Sequence, residues 1–200
     1  MIFIVSVAAS PVPAEILAPG CGELRNAEGP WDYRTASTKQ RSLIERYHFT
    51  EPVASLTRGE SAPLGADISY TLRAFPNHPR ALMAMAELAR REKRDPPYKS
   101  PYTVQCWFDR AIAFRPDDAQ VYTIYGIELL KSGQRIQAIE RLRKAVSLAP
   151  NDANAHYNLG LAYFGEKQYD NALVEAKRAY ALGFPLPGLR DMLIREHQWR

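Results

Sequence analysis

The chain has 200 residues, 46% of them apolar, which is enough to bury one sizeable core in a single elongated domain. The formal net charge of +4 is small, and the basic residues are scattered among acidic ones, with residues 90–94 as the densest basic cluster. There is no basic stripe with interleaved aromatic residues, which argues against a nucleic-acid partner, and no apolar run approaches the roughly 20 residues of a transmembrane segment.

The N-terminus has the composition of an export signal. Residues 1–9 are apolar, and residues 10–14, SPVPA, are followed by polar sequence. This order is typical of a secretory signal peptide cleaved after Ala14, so residues 1–14 are a predicted signal peptide. The protein is then expected in the periplasm or outside the cell, at its surface. No Lys or Arg precedes the apolar run, which leaves a short buried strand or helix start as the alternative.

The chain contains two cysteines, Cys21 and Cys106. An even number of cysteines in an oxidising compartment favours a disulfide, and we predict one between these two residues. The alternative is a pair of separate buried thiols in a cytosolic protein. Neither cysteine has a local metal-ligand spacing, and the four histidines are far apart, so the sequence predicts no metal site and no cofactor.

Residues 15–49 are predicted to form an N-terminal arm and one helix. Few apolar positions recur periodically in residues 15–36, and we expect Cys21 and Trp31 to hold this segment in place. A helix is predicted at Thr38–His48, with Ser37 or Thr38 as its cap.

Residues 50–78 are predicted to form a degenerate helix pair. The two helices are expected at 52–58 and 66–74, and the intervening sequence GESAPLG has the composition of a loop.

The C-terminal half contains an internal repeat. Residues 119–152 and 153–186 align without a gap at an offset of 34 residues, and Gly126 falls on Gly160. Each glycine is predicted to lie where the two helices of its unit approach most closely, because a side chain there would push them apart. The recurring alanine, leucine and tyrosine positions are interpreted as core packing.

One earlier unit carries an insertion. Three predicted helices are each followed by a Pro and a polar turn, at Pro76, Pro116 and Pro150. The interval from Pro76 to Pro116 is six residues longer than the interval from Pro116 to Pro150. The extra residues fall in a Pro-rich polar segment, 92–103, between the two predicted helices of unit 79–118. Such loops project from one edge of a repeat protein and often carry added function.

The 34-residue period, with small and aromatic residues at these positions, resembles the tetratricopeptide repeat superfamily, in which each unit is two antiparallel helices. The resemblance is specific over 79–186 and weak over 50–78. Four short sequence segments are also similar to a group of exported proteobacterial proteins with such repeats, which implies an envelope location. These segments are 21–24, 29–34, 45–49 and 70–82. The resemblance implies an all-α superhelical solenoid of antiparallel helix pairs, with residues 187–200 as a capping helix.

The resemblance also implies which side chains bind a partner. In this superfamily the second, fifth, ninth, twelfth and thirteenth residues of each first helix face the concave groove. These residues are Arg80, Met83, Glu87, Arg90 and Arg91, then Gln120, Thr123, Ile127, Leu130 and Lys131, then Asn154, Tyr157, Leu161, Phe164 and Gly165.

The later groove positions form an apolar and aromatic patch. The patch comprises Ile127, Leu130, Tyr157, Leu161 and Phe164. Such a patch is typical of a docking site for an apolar peptide or helix. The alternative is that the capping helix or a neighbouring chain already covers it. Some repeat proteins of this superfamily hold a terminal carboxylate with Lys and Asn side chains in the groove. Such a clamp is not expected here, because Asn158 is the only suitable residue among the matching positions.

Catalytic motifs are absent. No G-x-S-x-G or H-E-x-x-H occurs, and residues 160–167 lack the Gly-Lys-Ser/Thr of a phosphate-binding loop. We therefore predict a non-enzymatic scaffold that binds a peptide or helix of a protein partner in the groove, in the cell envelope. The alternative is a structural subunit of an envelope or filament-type assembly, with the groove permanently occupied by a neighbour. The oligomeric state is left open.

Overall fold

The computed structural model describes residues 19–200, and the predicted signal peptide, residues 1–14, lies outside the described residues. Within 19–200 the chain folds into ten helices and no strand, which confirms the all-α prediction. The helices are Thr38–His48 (α1), Glu51–Ala54 (α2), Leu64–Ala74 (α3), Pro79–Glu92 (α4), Val104–Phe114 (α5), Ala119–Lys131 (α6), Arg135–Leu148 (α7), Ala153–Gly165 (α8), Tyr169–Ala181 (α9) and Gly188–Arg195 (α10).

The three predicted units appear as the helix pairs α4–α5, α6–α7 and α8–α9. Local chemistry sets where their first helices begin. The imidazole of His78 and the carboxylates of Asp118 and Asp152 each accept a backbone N–H at the helix N-terminus, which satisfies a donor that has no partner within the helix. The first helices pack in series, α4 against α6 and α6 against α8, as expected of a repeat stack.

Two predicted helices are shorter than expected. The segment 52–58 forms only the single turn α2, because Leu56 adopts a left-handed backbone conformation with φ 58° and turns the chain. The capping helix ends at Arg195, because His197 is also left-handed, with φ 57°. The N–H groups of His197 and Gln198 then bond back to carbonyls of the last helical turn.

The two repeat glycines accommodate different neighbours. A Cβ placed on Gly126 would lie 2.4 Å from Cγ of Leu142, on the second helix of the same unit, as predicted. A Cβ on Gly160 would instead lie 2.5 Å from Cδ2 of Leu189 on α10, while the carbonyl oxygen of Ala172 is 3.4 Å away. The backbone nitrogen of Ala176 is 3.5 Å away, so the two helices of this unit approach closely at Gly160 as predicted, and the capping helix adds a contact that the sequence did not predict.

The N-terminal arm is fixed to the repeats as predicted. Cys21 forms a disulfide with Cys106 on α5, with the two Cα atoms 5.2 Å apart. Trp31 packs against Phe75, with ring centroids 5.5 Å apart, and its backbone N–H donates to the carbonyl of Ala74. The capping box of α1 uses Ser37, one of the two predicted cap residues.

Candidate functional site

The exposed surface of the first helices α4, α6 and α8 is the candidate partner-binding surface, here called the first-helix wall. Most of the predicted groove residues reach it. Those that are exposed are Arg80, Met83, Arg91, Gln120, Lys131, Asn154 and Gly165. Those that are half-buried are Glu87, Arg90, Ile127, Leu130, Leu161 and Phe164. The wall therefore combines charged, polar and partly exposed apolar side chains.

Two predicted groove residues are interior, which corrects their expected accessibility. Thr123 is 3% exposed, and its hydroxyl donates to the carbonyl of Ala119 one turn earlier on α6. Tyr157 is 9% exposed and stacks on Phe184 with ring centroids 3.9 Å apart. The connection from α9 to α10 carries Phe184, so at Tyr157 the chain's own C-terminal segment covers the patch.

Ion pairs organise the α4 end of the wall. Arg90 bonds to Glu87 on its own helix and to Glu128 on α6. The hydrogen bond from Arg90 holds the pKa of Glu87 below its usual range. Arg91 donates to the carbonyl of Leu56, which ties the turn after α2 to this end. These charged groups are thus engaged within the chain and hold α2, α4 and α6 in register.

A second feature is a cleft of about 530 Å³ at the edge where α4 joins α5 and α6 joins α7. It is lined by Ala86, Ala89, Arg90, Lys93, Arg94, Asp95, Val104, Gln105, Tyr125, Glu128, Leu129, Ser132, Gln134, Gln137, Glu140 and Arg141. We call it the edge cleft. Of the predicted groove residues, it includes Arg90, which lies at the border between cleft and wall.

The edge cleft exists because α5 starts late. With Pro116 aligned on Pro150, the start of α7 at Arg135 corresponds to residue 101, yet α5 begins at Val104. The start of α5 is set by its cap residue Thr103, whose hydroxyl accepts the N–H of Cys106, while Asp95 accepts the N–H of Val104. The first turn that α7 has is thus missing from α5, and the gap opens between α5 and α7.

Aromatic side chains build one wall of the edge cleft. The ring of Tyr125 stacks on Phe108 with centroids 4.4 Å apart and planes nearly parallel. The guanidinium of Arg141 lies 5.2 Å from the centre of the Tyr125 ring, a cation–π arrangement. Burial raises the pKa of Tyr125 to about 12.

A polar network at the arm was not found from the sequence. Asn77 donates to the carboxylates of Asp32 and Asp118, and its own oxygen accepts the N–H of Tyr33. Arg34 pairs with Asp32 at 2.8 Å. Within the segment 29–34 the sequence predicted only Trp31 as an anchor of the arm, because contacts over more than 40 residues leave no local pattern in the sequence.

Titratable pairs elsewhere hold the structure together. Three histidines face a carboxylate: His48–Asp67 at 3.0 Å, His78–Glu45 at 3.4 Å and His156–Glu175 at 2.5 Å. The Asp67 carboxylate also accepts three backbone N–H groups of residues 60–62, so it folds that loop. Over the described residues, 19–200, no group of three or more His, Cys, Asp and Glu side chains is placed to hold a metal ion.

Family comparisons identify the repeats directly. Family models described as TPR repeat and as tetratricopeptide repeat match residues 126–167 and 153–182, respectively. The Pseudomonas aeruginosa protein pilF, a solved structure, superposes with a TM-score of 0.52 at 22% identity, covering 68% of this chain and 61% of that chain. This similarity establishes a shared fold.

Curated relatives match over shorter stretches. The human protein O-mannosyl-transferase TMTC3 is 32% identical over 109 residues, which is 52% of this chain and 11% of that protein. The E3 ubiquitin-protein ligase CHIP of Arabidopsis thaliana is 34% identical over 76 residues, 38% of this chain and 27% of that protein. The peroxisomal targeting signal receptor of Candida albicans is 37% identical over 60 residues, 30% of this chain and 10% of that protein. The chain thus spans between a tenth and just over a quarter of these relatives.

In the part of the chain that the structure describes, the helices are too short or too polar to cross a bilayer.

Proposed function

We propose that this chain, which carries tetratricopeptide repeats and folds as a solenoid of antiparallel helix pairs, is a protein-interaction scaffold that binds a peptide or helix of a partner on its first-helix wall. The repeats support this function, and similar repeat segments occur in a ubiquitin-protein ligase and in a targeting signal receptor. The chain acts by binding and catalyses no reaction.

The main support for the proposal is that apolar side chains on the first helices remain partly exposed to solvent, although the core between the helix pairs is filled. Met83 is 48% exposed, and Ile127 and Leu161 are each half-buried on successive first helices. Leu161 also packs against the C-terminal cluster that contains Leu189 and Leu193. Burying the apolar area that Met83, Ile127 and Leu161 leave exposed is favourable at roughly 25 cal/mol per Å². Exposed polar residues at its margin, Gln120 and Asn154, are suited to hydrogen bonds with the partner's backbone.

The location proposed for this scaffold is the cell envelope. The apolar N-terminus supports export, and the Cys21–Cys106 disulfide suits an oxidising compartment. Both features would be expected of a periplasmic or cell-surface protein.

A second candidate function is that of a structural subunit in an envelope or filament-type assembly. Ile136 on α7 and Val174 on α9 are 67% and 65% exposed, and they lie on second helices, away from the first-helix wall. Apolar residues on a second surface suit a chain that contacts more than one neighbour.

To test the wall, the chain is used to capture a binding partner from the envelope fraction of the source cells. The partner is then identified and purified, and its affinity for the chain is measured by titration. Met83→Glu places a charge on the apolar stripe, and we expect it to weaken binding about tenfold or more. Val174→Glu is the matched control, because it adds the same charge at an exposed apolar residue of a second helix. Equal loss with both variants, or no loss with Met83→Glu, would contradict the proposed wall. Loss with Val174→Glu alone would favour the assembly subunit.

A further inference from the structure

We infer that the edge cleft is a second docking site, separate from the first-helix wall, and that it takes an acidic peptide segment that inserts one apolar side chain. The cleft volume of about 530 Å³ lies within the range of sites that enclose a ligand group, roughly 300–1,000 Å³. The inference goes beyond the proposed function, because it concerns a cleft between repeat helices that the insertion borders and that lies outside the first-helix wall.

The apolar side chain has a defined place. Ala86 and Ala89 on α4 leave space where longer side chains would stand, and Val104 and Leu129 close the other sides. The adjoining Tyr125 ring is held flat against Phe108, so that wall of the cleft is preformed. A leucine-sized group entering this space would remove apolar surface of both partners from water.

The charges at the cleft favour an anionic partner. Four basic residues line it, Arg90, Lys93, Arg94 and Arg141, against three acidic ones. Arg90 is paired within the chain with Glu87 and Glu128, so the positive charge offered to a partner comes from the other three basic residues. Two of the three carboxylates are already engaged within the chain. Glu128 pairs with Arg90, and Asp95 accepts the backbone N–H of Val104 at the start of α5.

The two basic residues of the loop remain available. Among the described residues Lys93 and Arg94 make no ion pair, and both are exposed at the rim of the cleft. Arg94 donates from Nε to the carbonyl of Pro96, and its guanidinium carbon lies 5.9 Å from the centre of the Tyr98 ring. These contacts fix the start of the loop, and the terminal nitrogens of Arg94 form no ion pair within the described residues. Glu140 is the remaining carboxylate, and it stands on α7 at the opposite wall.

The test is a titration of the full chain with three short peptides. Binding is monitored by the amide chemical shifts of the chain and by fluorescence anisotropy. The probes are acetylated and amidated Glu-Glu-Leu-Glu-Glu, the same peptide with Gln in place of each Glu, and the same peptide with Ala in place of Leu. We expect saturable binding of the first peptide, with shifts centred on Gln105, Ser132 and Gln134 of the cleft. Both altered peptides should bind at least about fivefold more weakly.

Variants that change the charge of the cleft test the same inference independently. Lys93→Glu should weaken binding of the acidic peptide about threefold, and adding Arg94→Glu should bring the loss to about tenfold. Lys167→Glu is the matched control, since Lys167 follows α8 as Lys93 follows α4 and both are left-handed, with φ 58° and 51°. Glu140→Gln should strengthen binding two- to threefold, an improvement that a misfolded variant would not give.

Three results would overturn the inference. They are equal binding of the glutamine peptide, shifts centred on Gln120 and Asn154 of the first-helix wall, and the same effect from Lys93→Glu and Lys167→Glu. Absence of saturable binding at millimolar concentration of the acidic peptide would overturn it as well.

Discussion

The side-chain amide of Asn77 donates a 2.8 Å hydrogen bond to the carboxylate of Asp118, joining the turn before α4 to the turn before α6. The same amide group donates to Asp32 of the arm at 2.7 Å. Asn77 is 1% exposed, so these bonds are made away from water. One side chain therefore sets the spacing between two successive units and fastens the arm across both.

Replacement of Asn77 by Ala should lower the free energy of unfolding by about 2–4 kcal/mol, because it leaves buried charged and backbone groups without their partner. Asn151→Ala is the matched control. Asn151 also follows a Pro at a unit boundary but is exposed, and its bond to Arg178 lies at the surface. We expect a loss below about 1 kcal/mol for it, measured by urea unfolding. Similar losses for the two variants would show that the Asn77 network contributes little.

Acid should weaken the arm through Asp32. Hydrogen bonds from Arg34, with a further one from Asn77, hold the pKa of Asp32 well below its usual range. A carboxyl with a lowered folded-state pKa stabilises the protein fully above its unfolded pKa, about 3.9; this contribution begins to shrink as the pH approaches the unfolded value and is gone below the folded-state value. The difference in Tm between the wild type and Asp32→Asn should therefore be largest near pH 6 and narrow towards pH 3.

Asp170→Asn is the control for this pH dependence. The side chain of Asp170 is 84% exposed and pairs only at the surface, with Arg200. Its substitution should change Tm little, and by a similar amount at each pH. A difference for Asp32→Asn that stays constant from pH 6 to pH 3 would contradict the role assigned to Asp32.

The Cys21–Cys106 bond should contribute strongly to stability. It closes a loop with a sequence separation of 85 residues, and the loop-entropy model gives about 4 kcal/mol for a loop of that size. The double replacement of both cysteines by Ser should lower the free energy of unfolding by about that amount. Complete alkylation of the native protein without reductant would show that the bond does not form.

Reduction should release only the first part of the arm. Once the disulfide is reduced, this part keeps two hydrogen bonds from Nη1 of Arg110 to the carbonyls of Cys21 and Glu23, which are weaker than the covalent link. Limited trypsin digestion after reduction should therefore cut first after Arg25, which is exposed. The bond after Arg34 should stay protected, because that residue is paired with Asp32. Simultaneous cleavage at both sites would mean that the arm leaves as one piece.

The capping helix should be coupled to the last repeat through Leu189 and Gly160. Gly160→Ala brings a methyl group against Leu189 and should cost about 1–3 kcal/mol, while Leu189→Ala opens a cavity and should cost about 2–4 kcal/mol. In the double variant the added methyl fills part of the cavity, so the combined loss should fall short of the sum by at least 0.5 kcal/mol. Additive losses would indicate that the two residues do not share one packing site.

Gly126 and Leu142 provide the comparison within a single unit. A methyl group on Gly126 meets the branch point of Leu142, Cγ, and not the end of a flexible side chain. Gly126→Ala should therefore destabilise the protein more than Gly160→Ala, as measured by urea unfolding of the two variants.

Periodic and local features carried the predictions that the structure confirms. The 34-residue repeat gave the helix pairs, and Ser37, one of the two predicted cap residues, sets where α1 begins. The insertion at 92–103 was visible as an interruption of the same period. The residues of the first-helix wall came from the resemblance to the repeat superfamily, and their role in binding stays a prediction.

The sequence by itself determined the architecture, since helix phase, caps and repeat length are local properties repeated along the chain. Only the tertiary structure decided which of the named side chains are accessible, that Phe184 covers Tyr157, and that a late start of α5 opens a cleft beside α7. It also decided that Asn77 links Asp32 to Asp118. The physical reason is that burial and hydrogen bonding between distant segments depend on how whole helices pack, and no repeat period encodes such contacts.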